Sequence, residues 1–154
     1  MIFVTVGTQL PFPRLIAEMV NWAGAHNERV VLQTGDTSVC GTCEAHRSLP
    51  SDRFLALMEE ARIIVSHAGI GSIIAAKTTG RPIILVPRRA DLGEHRNDHQ
   101  MATATAFEGK LGLRVAWKMD DLSTLLDQPI EAPVAECNPR YDRLVERIRS
   151  FVAA

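Results

Sequence analysis

Short apolar runs alternate with segments of helical character along most of this sequence. Val, Ile and Leu fill the runs continuously, which is typical of parallel strands covered by helices on both faces. The predicted strands and helices alternate over residues 2–6, 13–26, 29–33, 52–60, 62–66, 71–79, 83–86, 97–109 and 113–117. The alternation predicts an α/β fold: a single Rossmann-like domain over residues 1–154, with a parallel sheet between two layers of helices.

The pattern is weaker in two places. Between Gly35 and Pro50 we expect an irregular loop with one short strand near residues 46–49. After the last strand, short helices are predicted over residues 121–127 and 139–152. The second of these carries apolar side chains on one face and arginines on others, which favours docking on the sheet and leaves contact with a partner open.

The composition excludes several classes of protein. A chain of 154 residues with 46% hydrophobic residues is large enough to fold without disulfides or metal. The formal net charge of -1 and the few aromatic residues disfavour nucleic-acid binding. No apolar run is long enough to span a membrane, and the first residues match a strand better than a signal peptide, so we expect a cytoplasmic location.

Cys40 and Cys43 have the spacing of a redox pair or of half a zinc site. No helix is predicted directly after them, and His46 supplies only a third candidate ligand where zinc prefers four. We therefore interpret them as reduced loop thiols and expect no metal site.

A glycine-rich turn follows the predicted strand at residues 62–66. It contains His67, Gly69, Gly71 and Ser72 and leads directly into a predicted helix. Glycines allow close approach of the backbone to a ligand, and the free N–H groups of a helix start attract anions. The third glycine of the dinucleotide fingerprint is absent, and no Gly-Lys-Ser/Thr follows, so hydride transfer and ATP hydrolysis lose support. The pattern predicts a site for a diphosphate.

Two other segments are expected at the same edge of the sheet. Gly7 and Thr8 form a turn directly after the first strand, beside the turn of His67. The loop over residues 88–100 follows another strand and is dense in donors and acceptors, which suit sugar hydroxyls better than a metal ion. Its candidate binding residues are Glu94, Asp98, His99 and Gln100.

The sequence resembles the carboxy-terminal, donor-binding domain of family 28 glycosyltransferases of the GT-B fold. The likeness covers nearly the whole chain and rests on residues 5–8, 66–72, 80–82, 87–89 and 94–100. It is similar above all to small stand-alone subunits, those of bacterial exopolysaccharide glycosyltransferases and the small eukaryotic UDP-GlcNAc transferase subunit.

The resemblance implies roles for the matching residues. The donor diphosphate would lie at His67, Gly69, Gly71 and Ser72, and the donor sugar would be reached by His99 and Gln100. Gly7 and Thr8 match the first glycine turn of the family. Many relatives carry a ribose-binding glutamate where this chain has Ala75, which departs from the pattern for uridine.

The resemblance also implies a reaction and partners. A hexose, glucose above all, would be transferred with inversion from a UDP-sugar to a lipid-linked saccharide, without a cofactor. The acceptor would be held by a separate membrane-associated subunit, which would keep this chain at the inner face of the membrane and supply the general base. Self-association in the absence of that partner stays open.

Two alternatives remain at this stage. One is a non-catalytic module of the same fold that binds a partner, suggested by Ala75 and by the loop of Cys40 and Cys43. The other is a hydrolase or epimerase of nucleotide sugars, with Glu94, Asp98 and the neighbouring histidines as acid–base groups.

Overall fold

Six parallel strands form one sheet in the computed structural model, which describes residues 1–110, 112–133 and the single positions 143, 147 and 150. The strands of this described part are β1 (Ile2–Thr5), β2 (Val30–Gln33), β3 (Glu44–His46), β4 (Ile63–His67), β5 (Ile83–Val86) and β6 (Leu113–Val115). Every residue of β1, β2 and β5 is buried. Burial on both faces explains why these strands are continuously apolar.

Helices cover both faces of the sheet. They are α1 (Pro13–Ala25), α2 (Ser51–Glu60), α3 (Ile70–Thr78), α4 (His99–Phe107) and α5 (Met119–Asp127). On one face α1 and α5 pack against Ile2 and Val4 of β1, and on the other α2, α3 and α4 pack around Phe3. Successive residues of β1 therefore belong to opposite cores, as the two-residue period of a strand requires. The predicted α/β fold class is confirmed.

The strand order is β3–β2–β1–β4–β5–β6, so the chain reverses its direction of travel across the sheet between β1 and β4. Thr5 of β1 pairs with Ser66 of β4 at the carboxyl ends of these strands. In open parallel sheets the loops that diverge at such a reversal leave a crevice in which ligands bind. The turns of Gly7 and His67 both begin there.

Several boundaries differ from the sequence-based prediction. The short strand expected near residues 46–49 lies instead at Glu44–His46, where it pairs in parallel with β2 at the edge of the sheet. The helix expected from residue 97 begins at His99, with Asp98 as its N-cap residue, and Ala90–Leu92 forms a single 3₁₀ turn before it. The helix predicted over residues 139–152 lies outside the described residues except for positions 143, 147 and 150.

The cysteine loop holds two free thiols, an exposed Cys40 and a half-buried Cys43. Within residues 1–110 and 112–133 we find no group of three or more His, Cys, Asp or Glu side chains that could hold a metal ion. None of the helices described is long and apolar enough to cross a membrane.

Candidate functional site

A cavity of about 420 Å³ lies at the carboxyl ends of β1 and β4. Its size is within the range of small-molecule sites. Six of the residues proposed from the sequence line it: Gly7, Thr8, His67, Gly71, Ser72 and Gln100. The two glycine turns and the start of α4 therefore meet at one site, as the parallel topology predicted.

The imidazole of His67 occupies the space between the two glycine turns. A Cβ atom on Gly7 would lie 2.7 Å from His67 Cε1, and one on Gly69 would lie 2.3 Å from Nε2. Gly7 also has a φ of +77°, which disfavours other residues. Gly69 does not line the cavity itself, and its role is to make room for the ring. Both glycines are required by the position of His67.

His67 is an uncharged imidazole at neutral pH. Its pKa is lowered from 6.5 to about 4, chiefly by burial and in addition by the nearby positive charge of Arg88. Nδ1 lies 3.2 Å from the hydroxyl oxygen of Ser66. A neutral imidazole keeps one N–H donor and one acceptor. His67 thus presents a hydrogen-bonding group without a charge of its own.

The amino terminus of α3 faces the same cavity. Gly69 is the N-cap, and its carbonyl accepts the N–H of Ile73 at 3.3 Å. Ser72 is the third residue of the helix, buried and lining the cavity, so it does not cap the helix as its position in the sequence suggested. The first turn contains no acidic residue. The unpaired N–H groups of this turn and the helix dipole together favour an anion.

Gln100 is held in a fixed orientation at the start of α4. Its Oε1 accepts the backbone N–H of Arg88 at 3.1 Å, and the side chain is buried. Within the described residues Nε2 has no hydrogen-bond partner. Since Gln100 lines the cavity, this amide group is an available donor for a ligand oxygen.

The other predicted residues of the polar loop do not line the cavity. Glu94 accepts two hydrogen bonds from Arg14, at 2.7 and 2.8 Å, and one from the backbone of Arg89. Asp98 accepts the N–H of Ala90 at 3.2 Å. His99 is the first residue of α4, and its side chain is exposed. In place of these residues, His95 lines the cavity from this loop, together with Arg88 and Gln100 at its two ends.

Other lining residues were not proposed as binding residues from the sequence. Gln33 and Thr5 form the floor, joined by a hydrogen bond from the Thr5 hydroxyl to Gln33 Oε1. Leu49 and Phe54 form an apolar wall of the cavity, and Arg88 also lines it. The position of Gln33 at the end of a buried strand was a usable signal, because polar side chains there face the ligand edge of a parallel sheet.

Ala75 lies one helical turn beyond the cavity residue Gly71, partly buried against the core of α2, α3 and α4. It brings no carboxylate to this helix face, so a ribose bound here would need another acceptor.

Solved glycosyltransferases share this fold. The NMR structure of ALG13 matches over 93% of this chain and 93% of its own, at 18% identity and a TM-score of 0.61. The glycotransferase of kitacinnamycin matches 80% of this chain at 23% identity and a TM-score of 0.61. VinC, solved in complex with dTDP, matches 81% at 20% identity and a TM-score of 0.51. This chain spans only 33% of the length of the kitacinnamycin glycotransferase and 32% of the length of VinC.

The family model of the glycosyltransferase family 28 C-terminal domain matches residues 1–132. That span includes all six strands, both glycine turns and the polar loop. The resemblance inferred from the sequence is therefore confirmed, and this chain belongs to the family of glycosyltransferase family 28 C-terminal domains.

Proposed function

We propose that this chain is the donor-binding subunit of an inverting glycosyltransferase. The donor is a UDP-sugar, most simply UDP-glucose, and the acceptor is a lipid-linked saccharide in exopolysaccharide or glycan synthesis. A separate membrane-associated subunit binds the acceptor and keeps the complex at the inner face of the membrane. No cofactor takes part.

One observation carries the proposal: two glycine turns converge on a neutral His67 at the strand-order reversal, below the open first turn of α3. The turns bring backbone N–H groups within reach of one ligand, and no described carboxylate lines the cavity to repel an anion. VinC, a glycosyltransferase of similar fold that was solved in complex with dTDP, supports a nucleoside diphosphate as the proposed ligand.

The chemistry assigned to this chain is stabilisation of the leaving group. As the bond from the anomeric carbon to the diphosphate oxygen breaks, negative charge grows on that oxygen. The N–H groups of Ile70, Gly71 and Ser72 and the dipole of α3 stabilise that charge. The uncharged ring of His67 packs between the two glycine turns and keeps them in place, and the Gln100 amide binds a sugar hydroxyl.

The general base for the acceptor hydroxyl is assigned to the partner. The polar loop has three carboxylates: Asp91 pairs with Arg89, and Glu94 and Asp98 already accept hydrogen bonds that hold this loop in place. The match to ALG13 over 93% of both chains supports a donor domain that exists as a chain of its own.

Calorimetric titration with UDP, UDP-glucose and UDP-GlcNAc, with and without the cognate partner, tests the proposal. We expect binding by the wild-type chain and its loss in His67→Ala. The matched control is His46→Ala, which removes a partly exposed histidine of β3 that does not line the cavity.

Absence of binding under all conditions would contradict the transferase and favour a non-catalytic module. Release of free sugar by the chain alone, without acceptor, would instead favour a nucleotide-sugar hydrolase. Incubation of the complex with labelled UDP-glucose and a lipid-linked acceptor, followed by anomeric analysis of the product, tests transfer and inversion.

A further inference from the structure

Arg88 is a buried arginine whose side chain binds backbone carbonyls. Its guanidinium donates to the carbonyl oxygens of Val6 at 2.9 Å, Leu10 at 2.6 Å and Pro11 at 2.5 Å. It also lies 4.4 Å from the ring centroid of Phe12. Only 2% of the residue is exposed. Three of its five N–H donors are thus committed to the turn after β1, and few remain for a ligand.

Gln33 binds the same turn from the other side. Its Nε2 donates to the carbonyl oxygen of Gly7 at 3.0 Å, while Oε1 accepts the hydroxyl of Thr5. The side chain is 4% exposed. Together, Arg88 and Gln33 occupy four carbonyl oxygens of the turn over residues 6–11.

The N–H groups in the middle of the same turn are free. Those of Thr8, Gln9 and Leu10 have no hydrogen-bond partner among the described residues, and all three residues are exposed and line the cavity. Four carbonyls of the turn are therefore engaged by protein side chains, whereas the N–H groups of residues 8–10 are available to a ligand in the cavity. Successive free N–H groups of this kind form an anion-binding concavity.

We infer that Arg88 and Gln33 are positioning residues that turn residues 8–10 into a second anion subsite, for the phosphate of the donor farther from α3. This inference rests on the proposed function. Arg88 acts through the backbone turn and not as a direct phosphate ligand. Its positive charge also attracts a phosphate, but its geometric role is to hold carbonyl oxygens away from that phosphate.

The test compares ligands with and without phosphate on Arg88→Lys and Gln33→Met. Lysine keeps the charge of Arg88 but lacks the planar fork that reaches several carbonyls at once. We expect the affinity for UDP to fall at least about tenfold in each variant, whereas the weak affinity for uridine, measured by NMR titration, stays within about twofold. A residue that merely supported the fold would affect both ligands.

The wild-type chain provides a second readout. Addition of UDP is expected to shift the backbone amide resonances of Thr8, Gln9 and Leu10, and addition of uridine is not. This readout decides the question if Arg88→Lys fails to fold. Arg29→Lys, an exposed arginine at the opposite edge of the sheet, is the matched control and is expected to bind UDP like the wild type.

The inference is overturned if UDP leaves these amide resonances unchanged, or if the variants lose uridine and UDP in equal proportion. If wild-type chain binds no UDP, the proposed function fails and inorganic pyrophosphate becomes the probe. Pyrophosphate shifts at residues 8–10 that disappear in Gln33→Met support the anion subsite without the transferase. Their absence from the wild type contradicts the subsite as well.

Discussion

His67 fills the space into which a side chain at Gly69 would project. Because a Cβ atom on Gly69 would lie 2.3 Å from Nε2, any side chain there has to displace the imidazole. A side chain at Gly7 would also have to displace the ring, because a Cβ atom there would lie 2.7 Å from Cε1. The positions of the two glycines and of the histidine are therefore interdependent.

Gly69→Ala is expected to disrupt the donor site. Displacement of the ring should weaken UDP binding at least about tenfold and destabilise the fold by about 1–3 kcal/mol, the usual cost of overpacking. Calorimetry with UDP and urea unfolding measure the two effects. Gly24→Ala on α1 is the control: nothing lies within 4 Å of the added methyl group, so it should stabilise by about 0.5–1 kcal/mol without affecting binding. Unchanged UDP affinity in Gly69→Ala would contradict the packing of His67.

The stability of the chain should depend on the protonation of His67. Burial lowers its pKa from 6.5 to about 4, so the unfolded chain binds the proton more tightly than the folded chain. The contribution of this residue is complete above pH 6.5 and is lost as the pH falls from 6.5 to 4. The largest loss is about 3 kcal/mol.

Urea unfolding of the wild type and of His67→Gln at intervals between pH 4 and pH 7 measures this dependence. Glutamine does not titrate, so the difference between the two curves isolates the histidine. Parallel curves over the whole interval would show that His67 is not buried as an uncharged group.

Glu94→Gln separates a structural role of this carboxylate from a catalytic one. The side chain is 9% exposed and joins Arg14 to the backbone of Arg89. Loss of its charge should lower the free energy of unfolding by about 1–3 kcal/mol, as for other hydrogen bonds to charged groups. Asp91→Asn, which removes an exposed ion pair with Arg89, is the control and should leave the unfolding midpoint unchanged. Full stability combined with lost turnover in Glu94→Gln would favour the acid–base alternative.

The two described cysteines should differ in reactivity. Cys40 is exposed, whereas burial raises the pKa of the half-buried Cys43 thiol and reduces the fraction of its thiolate. We expect iodoacetamide to alkylate Cys40 first, as followed by peptide mass spectrometry near pH 8. Denatured protein, in which both thiols are free in solution, gives the reference rates. Faster alkylation of Cys43 in the folded chain would contradict its burial.

The fold was largely predictable from local sequence. Continuous apolar runs mark strands that are buried on both faces, and β1, β4 and β5 are of this kind. The edge strand β3 was misplaced because its three residues, Glu44–His46, are partly or fully exposed and carry no such pattern. Its position depends instead on pairing with β2 and on the ion pair between Arg29 and Glu44.

The candidate site was predictable where backbone conformation selects the residue type. Gly7 and Gly69 are required at their positions, and a sequence displays such glycines directly. Arg88 and Gln33 were not identified, because their hydrogen-bond partners are far away in the sequence. Arg88 binds carbonyls 77 to 82 residues before it, and Gln33 binds Gly7 across 26 residues. The 88–100 loop is polar throughout, so its sequence did not distinguish structural side chains, such as Glu94, from those that line the cavity.

The link from Arg88 to the turn after β1 passes over the end of β4, since β4 separates β1 from β5 in the sheet. The ends of β1 and β5 are thereby tied together across β4 on the ligand side. The turn has thus already lost most of its conformational freedom when the chain folds. Nucleotide binding then requires little further ordering of the backbone, so its entropy reflects chiefly the release of water and the immobilisation of the ligand.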